Sequence, residues 1–177
     1  MIHIVLFEPE IPGNAGNIIR TAMATNSVLH LIEPLGFSLD DKHLRRAGMD
    51  YAKDADIRQY PCWEAFEKTV DGPMYFITRY GKRPPDQIDM HDSSKNIYLV
   101  FGKESTGVDK RILKRHLDAL YRLPMVEDAR SLNLSNCVAI VVYEALRQQG
   151  YPGLAFHEVL KGEDWLEDLE LDRPDVS

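Results

Sequence analysis

Short apolar segments that end in turn residues and give way to helical patterns recur along this chain, and that alternation limits it to few folds. The first, HIVLFE at 3–8, is rich in β-formers and closes on PEIPGNAGN before the helical pattern NIIRTAMATN. The second, VLHLIE at 28–33, stops at Pro34-Leu35-Gly36. DDKHLRRAG follows, with acids first, bases last and a closing glycine, as helix termini prefer. A helix near 62–70, strands PMYFIT at 73–78 and NIYLVF at 96–101, a helix near 109–116, a strand ALYRLP at 119–124 and a long helix ending near Gly150 complete the series. Strands that are apolar throughout are covered on both faces, so the pattern predicts an α/β fold with a mainly parallel sheet flanked by helices. Residues 1–155 read as a single domain. An acidic tail follows at 156–177, with a short helix expected around Val159, Leu160, Trp165 and Leu169.

With 177 residues, 44% of them apolar, such a domain can bury a core without disulfides or metal. Cys62 and Cys137 have no Cys-x-x-Cys partner, and the six histidines lack zinc-ligand spacing, so no metal is expected and both cysteines read as small core residues. No apolar run approaches the ~18 residues of a membrane span, and MIHIVLFEPE opens without a basic flank. The expectation is a cytoplasmic protein with no membrane partner. The net charge of −7 argues at first against nucleic acid, which usually selects a basic footprint. From Tyr151 onward, however, eight acids face two bases, a local charge of −6 that leaves −1 for residues 1–150. Within that body, bases gather at Lys42, Arg45, Arg46, Lys53 and Arg58, and again at Lys103, Lys110, Arg111, Lys114 and Arg115. Either cluster alone would pass as a solvated helix face.

In an open parallel sheet, ligands sit at the carboxyl ends of strands, so the loops after strands are where chemistry is expected. The first such loop carries Asn14-x-x-Asn17-x-x-Arg20. Its asparagines can cap the helix, and the arginine offers a planar fork of donors for a phosphate. The second, Phe101-Gly102-Lys103-Glu104-Ser105-Thr106-Gly107, brackets polar residues with glycines that let backbone approach a ligand. It is not a P-loop, because Val108 and Asp109 stand where Lys and Ser/Thr are required. Gly13 and Gly16 likewise fail the dinucleotide fingerprint, which disfavours a nicotinamide-dependent oxidoreductase. The third runs from Leu123-Pro124-Met125 through Arg130-Ser131-Leu132-Asn133-Leu134-Ser135-Asn136 into CVAIVVYEAL. Its alternating Ser and Asn side chains exceed what one helix cap can use.

In this order and separation, N-x-x-N-x-x-R, FGKESTG and SLNLSNCVAIVVYEALRQ resemble the three signature motifs of the SpoU branch of the SPOUT methyltransferases. The resemblance spans residues 1 to about 151. It is nearest to small single-domain members that methylate the ribose 2′-hydroxyl of the wobble cytidine or uridine of tRNA. Lys103 departs from the proline usual in that motif, and Ser105-Thr106 from a threonine followed by a larger residue. The resemblance implies S-adenosylmethionine as cofactor, tRNA as substrate with contacts in the anticodon stem-loop, and a homodimer whose active site draws on both subunits. It also implies a C-terminal deep trefoil knot, which ordinary chains avoid and no periodicity reveals. Carried onto this sequence, the cofactor contacts are Ile77, Thr78, Gly102, Glu104, Leu123, Met125 and Ser131. The catalytic residues are Arg20, Ser131 and Asn133, and the RNA contacts are Asn17, Arg20 and Tyr143.

For methyl transfer from a sulfonium the enzyme must align the attacking oxygen and help remove its proton. The three motifs contain no histidine, and arginine is essentially always protonated, so Arg20 reads as a phosphate clamp, with the phosphate or a deprotonated Arg20 left as proton acceptor. A 2′-hydroxyl acceptor selects RNA over DNA. Ribose methylation at another tRNA or rRNA site, or a catalytically silent RNA-binding module, remain the alternatives; intact Arg20, Glu104, Ser131 and Asn133 weigh against the latter.

Overall fold

The computed structural model describes residues 1–38 and 55–169. The expected helix DDKHLRRAG, with Lys42, Arg45 and Arg46, lies outside the described residues, as does Lys53 of the same basic cluster. The elements are β1 (Ile2–Phe7), α1 (Pro12–Ala24), β2 (Val28–Ile32), β3 (Ile57–Tyr60), α2 (Trp63–Glu67), β4 (Met74–Ile77), β5 (Ile97–Phe101), α3 (Lys110–Arg115), β6 (Leu120–Tyr121) and α4 (Leu134–Gln149). Among the described residues, six strands form one sheet in the order β3-β2-β1-β5-β4-β6, with every strand pairing parallel.

The expected alternation of faces is present. On one side, Ile4 and Leu6 of β1 and Leu99 of β5 pack with Ile18, Ile19 and Ala22 of α1 and with Val138, Val141, Val142 and Ala145 of α4. On the other, Val5, Phe7 and Val100 pack with Trp63 and Phe66 of α2 and Ile112 and Leu113 of α3. The α4 set falls at i, i+3, i+4, i+7, the spacing that puts one helical stripe against a sheet. Each fully buried valine contributes about 1.5–3 kcal/mol relative to exposure. Helix α4 ends where the sequence indicates, with Gly150 in the left-handed region at φ 73° and its N–H bonded to Arg147 O.

Several expectations are corrected. Strand β3, IRQY, was not anticipated: it is an edge strand of mixed polarity, with Arg58 and Gln59 exposed, and carries neither a long apolar run nor clean alternation. The helix expected at 62–70 covers only Trp63–Glu67, and the strand expected at 119–124 is two residues long before the chain leaves the sheet. Asn14 and Asn17 do not cap α1; its N-cap is Ile11, followed by Pro12 at the first helical position, where a missing N–H costs nothing. Cys62 is exposed rather than a core residue, while Cys137 is half-buried and packs against the core. Among the described residues of the tail, 156–169 form turns rather than a helix, and Val159, Leu160, Trp165 and Leu169 are exposed.

Two histidines on neighbouring strands meet inside the sheet. His3 Nδ1 lies 2.8 Å from His30 Nε2, and His30 Nδ1 lies 3.0 Å from the Tyr60 hydroxyl. His30 is 1% exposed. Burial, reinforced by His3 and Arg58, pushes its pKa from 6.5 down to about 3. Burial lowers His3 as well. Below pH 6.5 the unfolded chain therefore takes up protons that the folded one refuses, so stability is full above pH 6.5 and falls as the pH drops toward 3. Between pH 8 and pH 5, His30 alone is expected to remove about 2 kcal/mol. Urea unfolding of His30→Asn should show a shallower acid slope than the parent; equal slopes would place the acid sensitivity elsewhere.

Candidate active site

Strands β1, β5, β4 and β6 stand side by side, and all point the same way. The loops that leave their carboxyl ends, after Phe7, Phe101, Ile77 and Tyr121, therefore emerge next to one another. Between them lies a cavity of about 760 Å³. Its walls include Ile77, Thr78, Gly102, Glu104, Leu123, Met125 and Ser131, the full set assigned above to the cofactor, together with Asn133.

Two carboxylates and an ion pair cross-link the first and second loops. Glu104 accepts hydrogen bonds from the backbone N–H of Glu10 (2.9 Å) and Ile11 (3.3 Å) and from Asn14 Nδ2 (2.8 Å). It supplies the negative charge at the start of α1 that no side chain of α1 provides, and the helix dipole favours it there. Glu10 returns the interaction, accepting from the Ser105 N–H (2.9 Å) and Oγ (2.8 Å), which holds its carboxyl below the usual range. Lys103, the residue that departs from the motif's proline, places Nζ 2.6 Å from Glu8 Oε2, and this bond raises the lysine pKa.

The third loop is tied to the same knot of polar groups. Asn133 Nδ2 donates to Asn14 Oδ1 at 2.9 Å. Asn133 Oδ1 accepts from the Ser135 N–H (2.9 Å), Ser135 Oγ (2.6 Å) and the Asn136 N–H (3.4 Å), which caps α4. A continuous hydrogen-bonded path therefore runs Glu104–Asn14–Asn133–Ser135, joining the amino ends of α1 and α4 at the cavity wall. In this arrangement the Asn133 amide is engaged in holding the loop, while the neighbouring Ser131 is exposed at the cavity. Replacing Glu104 by glutamine keeps its shape but removes the charge facing α1. The expected cost is about 1–2 kcal/mol by urea unfolding, and a change within a few tenths would show that the charge is not what holds the loop.

Gly102 is where backbone approaches backbone. A β-carbon there would lie 2.3 Å from Gly107 C and from Val108 N, so the loop closes on itself only with glycine. The 78–83 segment makes a second close approach. Thr78 N–H donates to Tyr121 O (2.8 Å), Arg122 N–H donates to Arg83 O (2.9 Å), and Gly81 lies across the peptide between Tyr121 and Arg122. The end of β6 is thereby clasped by the loop that follows β4.

Arg20, Asn17 and Tyr143 are not brought to this cavity within the protomer. All three are exposed, Arg20 and Asn17 on α1 and Tyr143 on the outer side of α4. Conversely, Asn14, Arg79, Tyr80, Lys110, Arg122, Arg130 and Cys137 line the cavity without having been assigned a role in it. Arg79 and Tyr80 directly follow the apolar strand β4, and that position was the available signal. Burial raises the Cys137 thiol, which keeps it protonated and unreactive. Among the described residues, no cluster of His, Cys, Asp or Glu can hold a metal ion, and no helix is long and apolar enough to cross a membrane.

A parallel α/β sheet whose ligand cavity is walled by the loops of four adjacent strands, with two capped helices meeting at its edge, defines the class of protein. Comparison then gives the family: the model of the SpoU rRNA methylase family matches residues 1–143, and the chain belongs to that family. A Geobacillus stearothermophilus relative, provisionally designated tRNA (cytidine(34)-2′-O)-methyltransferase, is 52% identical over 155 residues, covering 87% of this chain and 99% of its own. A Yersinia pestis protein named tRNA (cytidine(34)-2′-O)-methyltransferase is 46% identical over 169 residues, covering 89% of this chain and all of its own. A solved structure described as giving insight into 2-OH methylation of C/U34 on tRNA superposes with a TM-score of 0.77 at 39% identity, over 85% of this chain and 97% of that one. The AdoMet-bound rRNA methyltransferase of Sinorhizobium meliloti superposes with a TM-score of 0.73 at 28% identity, over 82% of this chain and 56% of that one.

Proposed function

We propose that the protein transfers a methyl group from S-adenosylmethionine to the ribose 2′-hydroxyl of the wobble nucleotide, cytidine or uridine 34, of tRNA. The observation that carries this reading is the convergence of all three motif loops on one cavity, linked by the Glu104–Asn14–Asn133 path. The names of the relatives supply the nucleotide. The cavity suits the cofactor. Its volume lies in the roughly 300–1,000 Å³ range of small-molecule sites, Ile77, Leu123 and Met125 offer apolar walls for a purine, and Arg79, Arg122 and Arg130 offer partners for a carboxylate. When bound, the cofactor's sulfonium supplies an electrophilic methyl group.

The chain's own residues then have two tasks. Ser131, Leu123 and Met125 hold the methyl donor in place, and Asn133 fixes the loop that carries Ser131. Arg20 clamps the substrate phosphate with its planar fork and orients the 2′-hydroxyl for in-line attack. Because Arg20 does not line the cavity of its own protomer, it acts on the cavity of a partner in a homodimer. Exposed Ile11, Leu132, Ile140 and Tyr143 near α1 and α4 support such a contact. Asn17 and Tyr143 contact RNA at its margin. The clasp of 78–83 around Tyr121–Arg122 supports a C-terminal deep trefoil knot in a domain of residues 1–155, which the acidic segment 156–177 follows in sequence. A cytoplasmic location fits a tRNA substrate.

Transfer of labelled methyl from S-adenosylmethionine to total tRNA, followed by nuclease mapping, tests the reading. The expected product is a 2′-O-methyl pyrimidine at the wobble position. Label at another ribose would keep the chemistry and discard the nucleotide, whereas cofactor binding with no label in any RNA would discard the reaction.

A further inference from the structure

We propose that Tyr80 is a stacking platform for an unpaired base of the RNA, set between cations that grip the flanking phosphates. The proposal rests on the tRNA reading above and names the surface through which this chain would hold its substrate. Tyr80 leaves the carboxyl end of the sheet directly after β4 and is 51% exposed, whereas Phe101 and Tyr121, the other aromatic residues lining the two concavities, are buried. Its ring stands on the partition between the 760 Å³ cavity and a second concavity of about 720 Å³, lined by Lys82, Arg83, Leu117, Asp118 and Tyr121.

The surroundings of the ring are cationic, and two of the cations are held in place. Lys110 Nζ lies 5.2 Å from the ring centroid and donates to the carbonyls of Thr106 (2.8 Å) and Val108 (3.3 Å). Arg83 lies over Tyr121 at 4.8 Å and donates to Asp118 O. Arg79, Lys82, Arg83 and Arg122 are all exposed. Of the described acids lining the two concavities, Glu104 is turned onto α1, which leaves Asp118 against Arg79, Lys82, Arg83, Lys110, Arg122 and Arg130, with Lys103 paired to Glu8. An exposed aromatic face among Lys and Arg is the combination that binds single-stranded nucleic acid: a base stacks on the ring while the cations follow the backbone. A base-paired stem hides its base faces, so the partner is a loop nucleotide splayed from its neighbours. The platform borders the cavity, so the base it holds belongs to a nucleotide flanking the methylated one.

The test uses the full-length protein. Tyr80→Ala is expected to raise the KM for tRNA about 10-fold or more with little change in kcat, while Tyr80→Phe and Tyr80→Trp stay near wild type and the calorimetric affinity for S-adenosylmethionine is unchanged in all three. An unchanged tRNA KM in Tyr80→Ala would overturn the proposal. So would a parallel loss of cofactor affinity, which would make the ring a wall of the cofactor site. Binding is also read without turnover: an anticodon stem-loop RNA should quench the added fluorescence of Tyr80→Trp over the background of the unsubstituted protein. Quenching without methyl transfer by the unsubstituted enzyme would overturn the proposed reaction and leave the platform standing. Transfer without quenching would do the reverse.

Discussion

Substituting Arg20 by lysine is expected to lower methyl transfer about 100-fold or more while leaving S-adenosylmethionine affinity intact. The charge survives, but the planar fork that holds two phosphate oxygens at once does not, and a reacting hydroxyl that is no longer aligned forfeits much of its rate. A 100-fold loss corresponds to about 2.7 kcal/mol of transition-state stabilisation. Near-wild-type turnover in Arg20→Lys would sink the clamp. Arg20 is exposed on α1 and absent from the cavity wall of its own protomer, which gives the prediction a second, sharper form. Arg20→Ala and Ser131→Ala should each be nearly inactive alone. Mixed and allowed to exchange subunits, they should recover about a quarter of wild-type turnover if the protein forms the proposed homodimer, because half the dimers would then be mixed and each mixed dimer would hold one intact site. Recovery would fail if Arg20 served its own protomer's cavity.

The second large effect is expected at Gly81. A β-carbon there would stand 2.2 Å from Tyr121 C, 2.5 Å from Tyr121 O and 2.6 Å from Arg122 N. The obstruction is backbone on both sides, bound through Thr78 and Arg83, so it cannot yield as a flexible side chain would. Gly81→Ala should cost about 3 kcal/mol, the upper end for overpacking, and should weaken cofactor binding with it, because Thr78, Leu123 and Met125 lie on the two segments being forced apart. Gly13→Ala is the matched control. Nothing lies within 4 Å of a β-carbon at Gly13, in the first turn of α1, so the same change there should be neutral or stabilise by up to about 1 kcal/mol. Equal denaturation midpoints for the two variants would show that the clasp yields without cost.

These predictions draw unequally on what the sequence makes legible. The apolar runs that became β1, β2 and β5 were readable because burial on both faces leaves a nearly continuous hydrophobic signature, and β4, where only Phe76 is fully buried, because MYFI is apolar throughout. The end of α4 near Gly150 was readable too, whereas which of the alternating Ser and Asn residues caps its start, Asn133, came from the structure. The residues assigned to the cofactor fell on one cavity because each follows a strand at the same end of the sheet. Strand β3 escaped notice because its side chains are half polar and its identity as a strand comes from pairing with β2. The start of α1 was misread for a related reason. Asn14 looked like a local cap, yet its side chain bridges Glu104 and Asn133, and the carboxylate at the helix start comes from the second loop. The tail's apolar residues have helical spacing, but with no surface to pack against, short helices do not form on propensity alone.

The sequence by itself determined the apolar strands β1, β2, β4 and β5, which loops carry chemistry and which polar residues stand in them, because hydrophobic period and turn chemistry act over a few neighbouring positions. Only the tertiary structure decided the strand order β3-β2-β1-β5-β4-β6, the clasp of Gly81 on the Tyr121–Arg122 peptide and the path from Glu104 through Asn14 to Asn133. Those features join residues that lie 90 and 119 positions apart along the polar path, where the same apolar runs are compatible with many pairings and packing selects among them.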